Sequence, residues 1–129
     1  MKKVISILSV LFLISTVVNA NNVISESEDT LLGSWVFTVN EAPWEYSRGK
    51  VVFEKNDENE LEGKVIFDTG RQIPIITISL TDESLSFQVN VDGYNVTSFM
   101  TLEGDSMTGH VETVEGNMNF SAQREISEG

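Results

Sequence analysis

The side chains in this chain best suited to recognition are aromatic rings and guanidinium groups that fall near turns. Trp44, Tyr46 and Arg48 lie within five residues of one another, and Arg71 and Tyr94 stand beside later turns. Rings cover an apolar body with little entropy to lose, and a guanidinium grips a carboxylate through two parallel hydrogen bonds. Brought together, the five would suit a small, partly apolar or anionic molecule. Trp44 and Tyr46 would equally serve as a lid of side chains with no ligand beneath. Which holds depends on whether the fold gathers them.

Chemistry of other kinds finds little support. With one His and no Cys, the common zinc and copper sites cannot be assembled within one chain. His110 sits between Thr108 and Glu112 on an outward-reading row and is taken as a solvated strand residue. The carboxylates cluster in turns, where water keeps them ordinary. The acidic stretch Asn56-Asp57-Glu58-Asn59-Glu60 lacks the D-x-[DN]-x-[DN]-G pattern and reads as a solvated turn rather than a calcium loop. Asn95-Val96-Thr97 and Asn119-Phe120-Ser121 match the glycosylation acceptor, yet both fall inside strand patterns and are read as chance matches. Neither a phosphate loop nor a nucleophile elbow is present. The expectation is a protein that is not an enzyme and carries no metal or cofactor.

The N-terminus speaks to location. Lys2 and Lys3 precede an apolar run from Val4 to Val18, and Val18-Asn19-Ala20 ends it with a small residue. That is the order of a signal peptide, residues 1–20, with cleavage expected after Ala20. The run is too short to span a bilayer, which takes about 20 apolar residues. The sequence therefore predicts secretion or periplasmic residence, with no membrane span in the mature form. Without Lys2 and Lys3, six basic residues face twenty acidic ones, a net charge of −14. Such a surface repels nucleic acid and anionic lipid, and the acidity itself is a means of staying soluble.

The elements that must position the recognition residues follow from periodicity. Residues 21–30 are polar and acidic without a period and are read as a flexible leader; 31–125 form the folded domain and 126–129 a C-terminal tail. From Leu31 onward apolar residues alternate with polar ones, and turn residues recur about every 8–12 positions. Eight strands are predicted, at about 31–40, 49–56, 60–68, 71–80, 84–91, 94–103, 106–114 and 117–125. Short connections such as Asp92-Gly93 and Gly104-Asp105 suit tight hairpins, so the strands should form an antiparallel meander. Eight strands of this length should close into an up-and-down barrel, an all-β fold. Trp35, Phe37, Val39, Val65, Phe67, Phe87, Val89 and Phe120 fall on the inward rows. Gly63 and Gly109 interrupt those rows, allowing sharp coiling or room in the lumen. Pro74 cannot donate to a ladder and predicts a bulge or local edge in the fourth strand.

Gly33-Ser34-Trp35 at the start of the first strand, the meander behind it, and Arg124 at the end of the last resemble the lipocalin and calycin superfamily. Leu102 to Gly109 and Phe120-Ser121-Ala122-Gln123-Arg124 look more specifically like the small bacterial lipocalin-like barrels. The resemblance spans about residues 31–125. It implies that Gly33, Trp35 and Arg124 close the barrel structurally, with the guanidinium lying over the indole at the shut end. A cation on an aromatic face packs well on its own physical grounds. The chain departs from longer lipocalins in lacking a disulfide and a helix after the barrel, which argues against a bulky ligand.

Connections in a meander alternate between ends. Asn56–Glu60, Thr81–Ser84 and Glu103–Ser106 share the Trp35 end, which is acidic. Trp44, Tyr46, Arg48, Arg71 and Tyr94 sort to the other end, which the resemblance makes the mouth. Two readings follow. In one, an exported lipocalin-like protein binds a small, partly apolar ligand at the mouth; in the other, the barrel is filled by its own side chains and docks a protein or glycan. Lumen volume separates them, since eight strands enclose either packed side chains or one small ligand.

Overall fold

The computed structural model describes residues 28–126. The expected signal segment, most of the leader and the end of the tail lie outside them. The alternating sequence folds as eight strands: β1 (Gly33–Thr38), β2 (Arg48–Lys55), β3 (Leu61–Phe67), β4 (Gln72–Thr81), β5 (Ser84–Val91), β6 (Tyr94–Glu103), β7 (Ser106–Thr113) and β8 (Gly116–Arg124). They form a closed antiparallel barrel in sequence order, with β1 hydrogen-bonded to both β2 and β8. Closure gives every strand two neighbours, which removes most of the exposed sheet edge that is the usual hazard of an all-β chain. Among the described residues no helix is long and apolar enough to cross a membrane.

The seam between β1 and β8 is where the sequence motif does its structural work. Trp35 stands opposite Arg124 in the ladder and is fully buried. The guanidinium carbon lies 4.4 Å from the indole centroid, while Nη1 donates to the Leu32 carbonyl at 2.8 Å and Nη2 to the Thr30 carbonyl. The indole Nε1 donates to the Leu31 carbonyl at 2.9 Å, so neither polar end is stranded. Gly33 has φ +117, a conformation that side-chain-bearing residues rarely adopt, and a Cβ there would sit 3.2 Å from Arg124 Nη1.

Leu31 departs from the expected first strand. Residues 28–31 form one helical turn, and Leu31 turns its side chain fully into the barrel end. That turn is tied down: Glu28 pairs with Lys55 at 2.8 Å, and Thr30 accepts from Arg124. Here the stretch read as a flexible leader already belongs to the fold.

β4 shows the irregularity that Pro74 predicts. Its register against β5 slips between Ile75 and Thr77, and only three of its residues, Gln72, Ile73 and Pro74, pair with β3. The glycines on the inward rows permit close strand approach rather than room in the lumen. A Cβ on Gly109 would lie 1.8 Å from the Phe99 carbonyl oxygen, and one on Gly63 would lie 2.8 Å from that of Val52.

The core is divided along the barrel axis. At the end where β1 begins, Leu31, Trp35, Phe53, Leu85, Met100, Leu102 and Met107 are buried and plug the lumen. None of these lines the space toward the other end.

Candidate functional site

A cavity of about 360 Å³ occupies the half of the barrel toward the 39–47 connection. That volume falls within the roughly 300–1,000 Å³ of small-molecule pockets, at the low end. Its walls are the inward rows: Phe37 from β1, Val51 from β2, Val65 and Phe67 from β3, Phe87 and Val89 from β5, Val111 from β7 and Phe120 from β8. Phe37 stacks on Phe120 with centroids 5.4 Å apart and meets Phe67 edge-on at 6.1 Å, so the aromatic wall is internally braced. The rim includes Pro43, Tyr46, Asp92, Tyr94, Val114 and Glu115.

The sequence-predicted recognition residues separate into two groups. Tyr46 and Tyr94 both line the cavity. Tyr46 closes a short 3-10 helix, Trp44–Tyr46, and its ring meets Phe67 edge-on at 5.2 Å. Tyr94 opens β6 and remains 57 % exposed, half wall and half rim. Arg71 does not line the cavity but braces its edge. It pairs with Asp92 at 2.9 Å and donates to the Tyr46 hydroxyl at 3.2 Å, its Cζ 6.0 Å from the Tyr46 centroid.

Trp44 and Arg48 do not join them. Trp44 is 76 % exposed and points away from the lumen, so it is neither a plug nor part of the wall. Arg48 is the first residue of β2, where Gly49, Val51 and Phe53 face inward; alternation turns Arg48 outward with Lys50. A strand beginning one residue earlier than expected is enough to move this side chain from a mouth loop to the outer face. His110 also lies outside, 3.3 Å from Glu112 and with its ring tilted against that of Phe99 at 5.4 Å.

Two residues of the candidate site escaped the sequence reading. Asp92 accepts from the Tyr46 hydroxyl at 2.5 Å and from Arg71, so one carboxylate ties together the 39–47 connection, the β3–β4 turn and the β5–β6 turn. These bonds favour its ionised form: the Tyr46 hydroxyl first, then the Arg71 guanidinium, hold its pKa below the ordinary carboxylate range. The same contacts push the Tyr46 phenol and Arg71 upward, chiefly through Asp92 in each case. Asp92 and Gly93 both have positive φ, 55° and 92°, as a two-residue hairpin turn of type I′ requires. The second is Ser98, buried on the inward row of β6 among apolar neighbours. Continuing the period-two reading through β6 would have exposed it as the polar exception.

The charge of the mouth differs from expectation. Asp92 and Glu115 are the charged side chains of the cavity lining among the described residues. Arg71, expected to receive an anion, is already held by Asp92. The cavity thus offers apolar walls, a carboxylate-bearing rim and a pinned mouth.

Comparison with known proteins supports the architecture. A redesigned β-barrel superposes with a TM-score of 0.57 at 17% identity, covering 78% of this chain and 96% of that one. A mutant of the fluorescent protein UnaG superposes with a TM-score of 0.50 at 12% identity, covering 77% of this chain and 99% of that one. No protein-family model and no curated protein matches the sequence. At such identities the likeness speaks for the fold alone, a closed eight-stranded antiparallel barrel.

Proposed function

We propose that this protein is an exported, non-enzymatic binding protein that holds a small, mainly apolar molecule in the open half of its barrel. The observation that carries this reading is the cavity of about 360 Å³, walled by Phe and Val side chains and reached past Tyr94 and Val114. A barrel filled by its own residues, the requirement of the docking alternative, is realised only in the Trp35 half. Burial of an apolar ligand against such walls is favoured by about 25 cal/mol per Å² removed from water. The likeness to a lipocalin-like architecture is consistent with this use, and the basic-then-apolar N-terminal segment supports export.

Titration with the neutral, environment-sensitive dye N-phenyl-1-naphthylamine tests the reading. One saturable site is expected, with enhanced dye emission, and it should be lost in Val111→Phe, which drives a ring into the cavity. Absence of saturable binding to the unaltered protein would overturn the proposal. Export is checked separately by the mass of the protein recovered from outside the cytoplasm, which should begin at Asn21.

A further inference from the structure

Ser98 is the buried polar residue of the barrel among the described residues, only 2 % exposed. Alternation along β6 turns it inward between Val96 and Met100, and the ladder sets it opposite Phe87 on one side and Val111 on the other. All but Met100 of these line the cavity with it. No hydrogen bond to its hydroxyl is made by a group among the described residues. Among the described residues every fully enclosed side-chain polar atom is bonded, so this hydroxyl is not sealed in protein and, on a wall of the cavity, faces it. A hydroxyl among Phe and Val walls costs free energy unless something bonds it, and Ala or Val at this position would avoid that cost.

We infer that Ser98 is the polar anchor of the lumen, and that the ligand class is an uncharged, largely apolar molecule with one hydrogen-bonding group, such as a ketone or alcohol, seated at the depth of Ser98. The inference rests on the lumen-binding reading above and deepens it. Selection against acids follows from the rim, where Asp92 and Glu115 bear the charge and Arg71, which braces its edge, is engaged by Asp92. A carboxylate entering the lumen would pass like charges and reach a site without a cation.

Three probes sharing one ring system test this: 2-acetylnaphthalene, 2-isopropylnaphthalene and 2-naphthoate, each titrated into the protein and into Ser98→Ala and Ser98→Thr. The ketone should bind Ser98→Ala about tenfold more weakly than the unaltered protein, about 1.4 kcal/mol. Ser98→Thr, which keeps the hydroxyl, should restore most of that affinity. The hydrocarbon should bind the unaltered protein and Ser98→Ala alike, and the carboxylate should bind the unaltered protein at least about tenfold more weakly than the ketone. Equal ketone affinity for the unaltered protein and Ser98→Ala, or carboxylate binding as tight as ketone binding, would overturn the inference while leaving lumen binding intact. Failure of all three naphthalenes to bind the unaltered protein would instead overturn the lumen-binding reading.

Discussion

Arg124→Ala should weaken the barrel at its seam by about 3 kcal/mol. The guanidinium over Trp35 at 4.4 Å contributes about 1 kcal/mol, since the pair is partly shielded from water. Its bonds to the Leu32 and Thr30 carbonyls are charge-assisted. One such bond is worth about 1.5–3 kcal/mol when buried, and the exposed setting at Thr30 brings the pair together to about 2 kcal/mol. The contact with Asp105 at 3.0 Å adds little, because that carboxylate is 80 % exposed. Urea denaturation followed by Trp35 emission reads the loss. With an m-value of about 1.5 kcal/mol/M the midpoint should fall by about 2 M at unchanged m. Arg124→Lys keeps the charge but cannot reach two carbonyls at once, so it should fall about half as far. Asp105→Asn should shift the midpoint by less than about 0.3 M. The reasoning fails if Arg124→Ala moves the midpoint by less than about 0.5 M, or if Lys substitutes without loss.

Other consequences are local. Gly109→Ala should cost several kcal/mol or prevent folding, because its Cβ would fall 1.8 Å from the Phe99 carbonyl oxygen on the neighbouring strand; soluble yield and thermal midpoint would show it. Tyr46→Phe keeps the ring against Phe67 but removes the first of the bonds that lower the Asp92 pKa, so Asp92 should titrate at higher pH, as read by carboxylate NMR. A carboxylate whose folded pKa is depressed stabilises the fold above its unfolded value, about 3.9, and that contribution disappears as pH falls through the folded pKa. The mouth of the unaltered protein should therefore loosen only below about pH 4, with amide exchange rising first in the 39–47 and 68–71 connections. Trp44→Ala should change stability by less than about 0.5 kcal/mol and dye affinity by less than about twofold, since Trp44 points into solvent.

Much of the architecture could be read directly, because one face of every strand must be dry and the period of two shows it. β5 and β6 begin and end where alternation and the Asp92-Gly93 turn place them. Leu31 misled because an apolar residue two positions before a glycine looks the same whether it opens a strand or caps a barrel end from a helical turn. Arg48 misled through a boundary shift of one residue, which in a strand reverses the face. The engagement of Arg71 by Asp92 and Tyr46 joins residues 21 and 25 positions apart across three connections, and no local pattern encodes such a meeting. Ser98 differs, being legible as a polar residue on an apolar row once the row is followed into β6.

Methyl NMR of the valines during titration with 2-acetylnaphthalene tests lumen binding most directly, because alternation places reporters on both sides of one wall. Ring-current shifts should appear at Val51, Val65, Val89 and Val111, which line the cavity, while Val36 and Val52 on the outer face stay in place. Shifts confined to Val36 and Val52, or no shifts at all, would contradict the account.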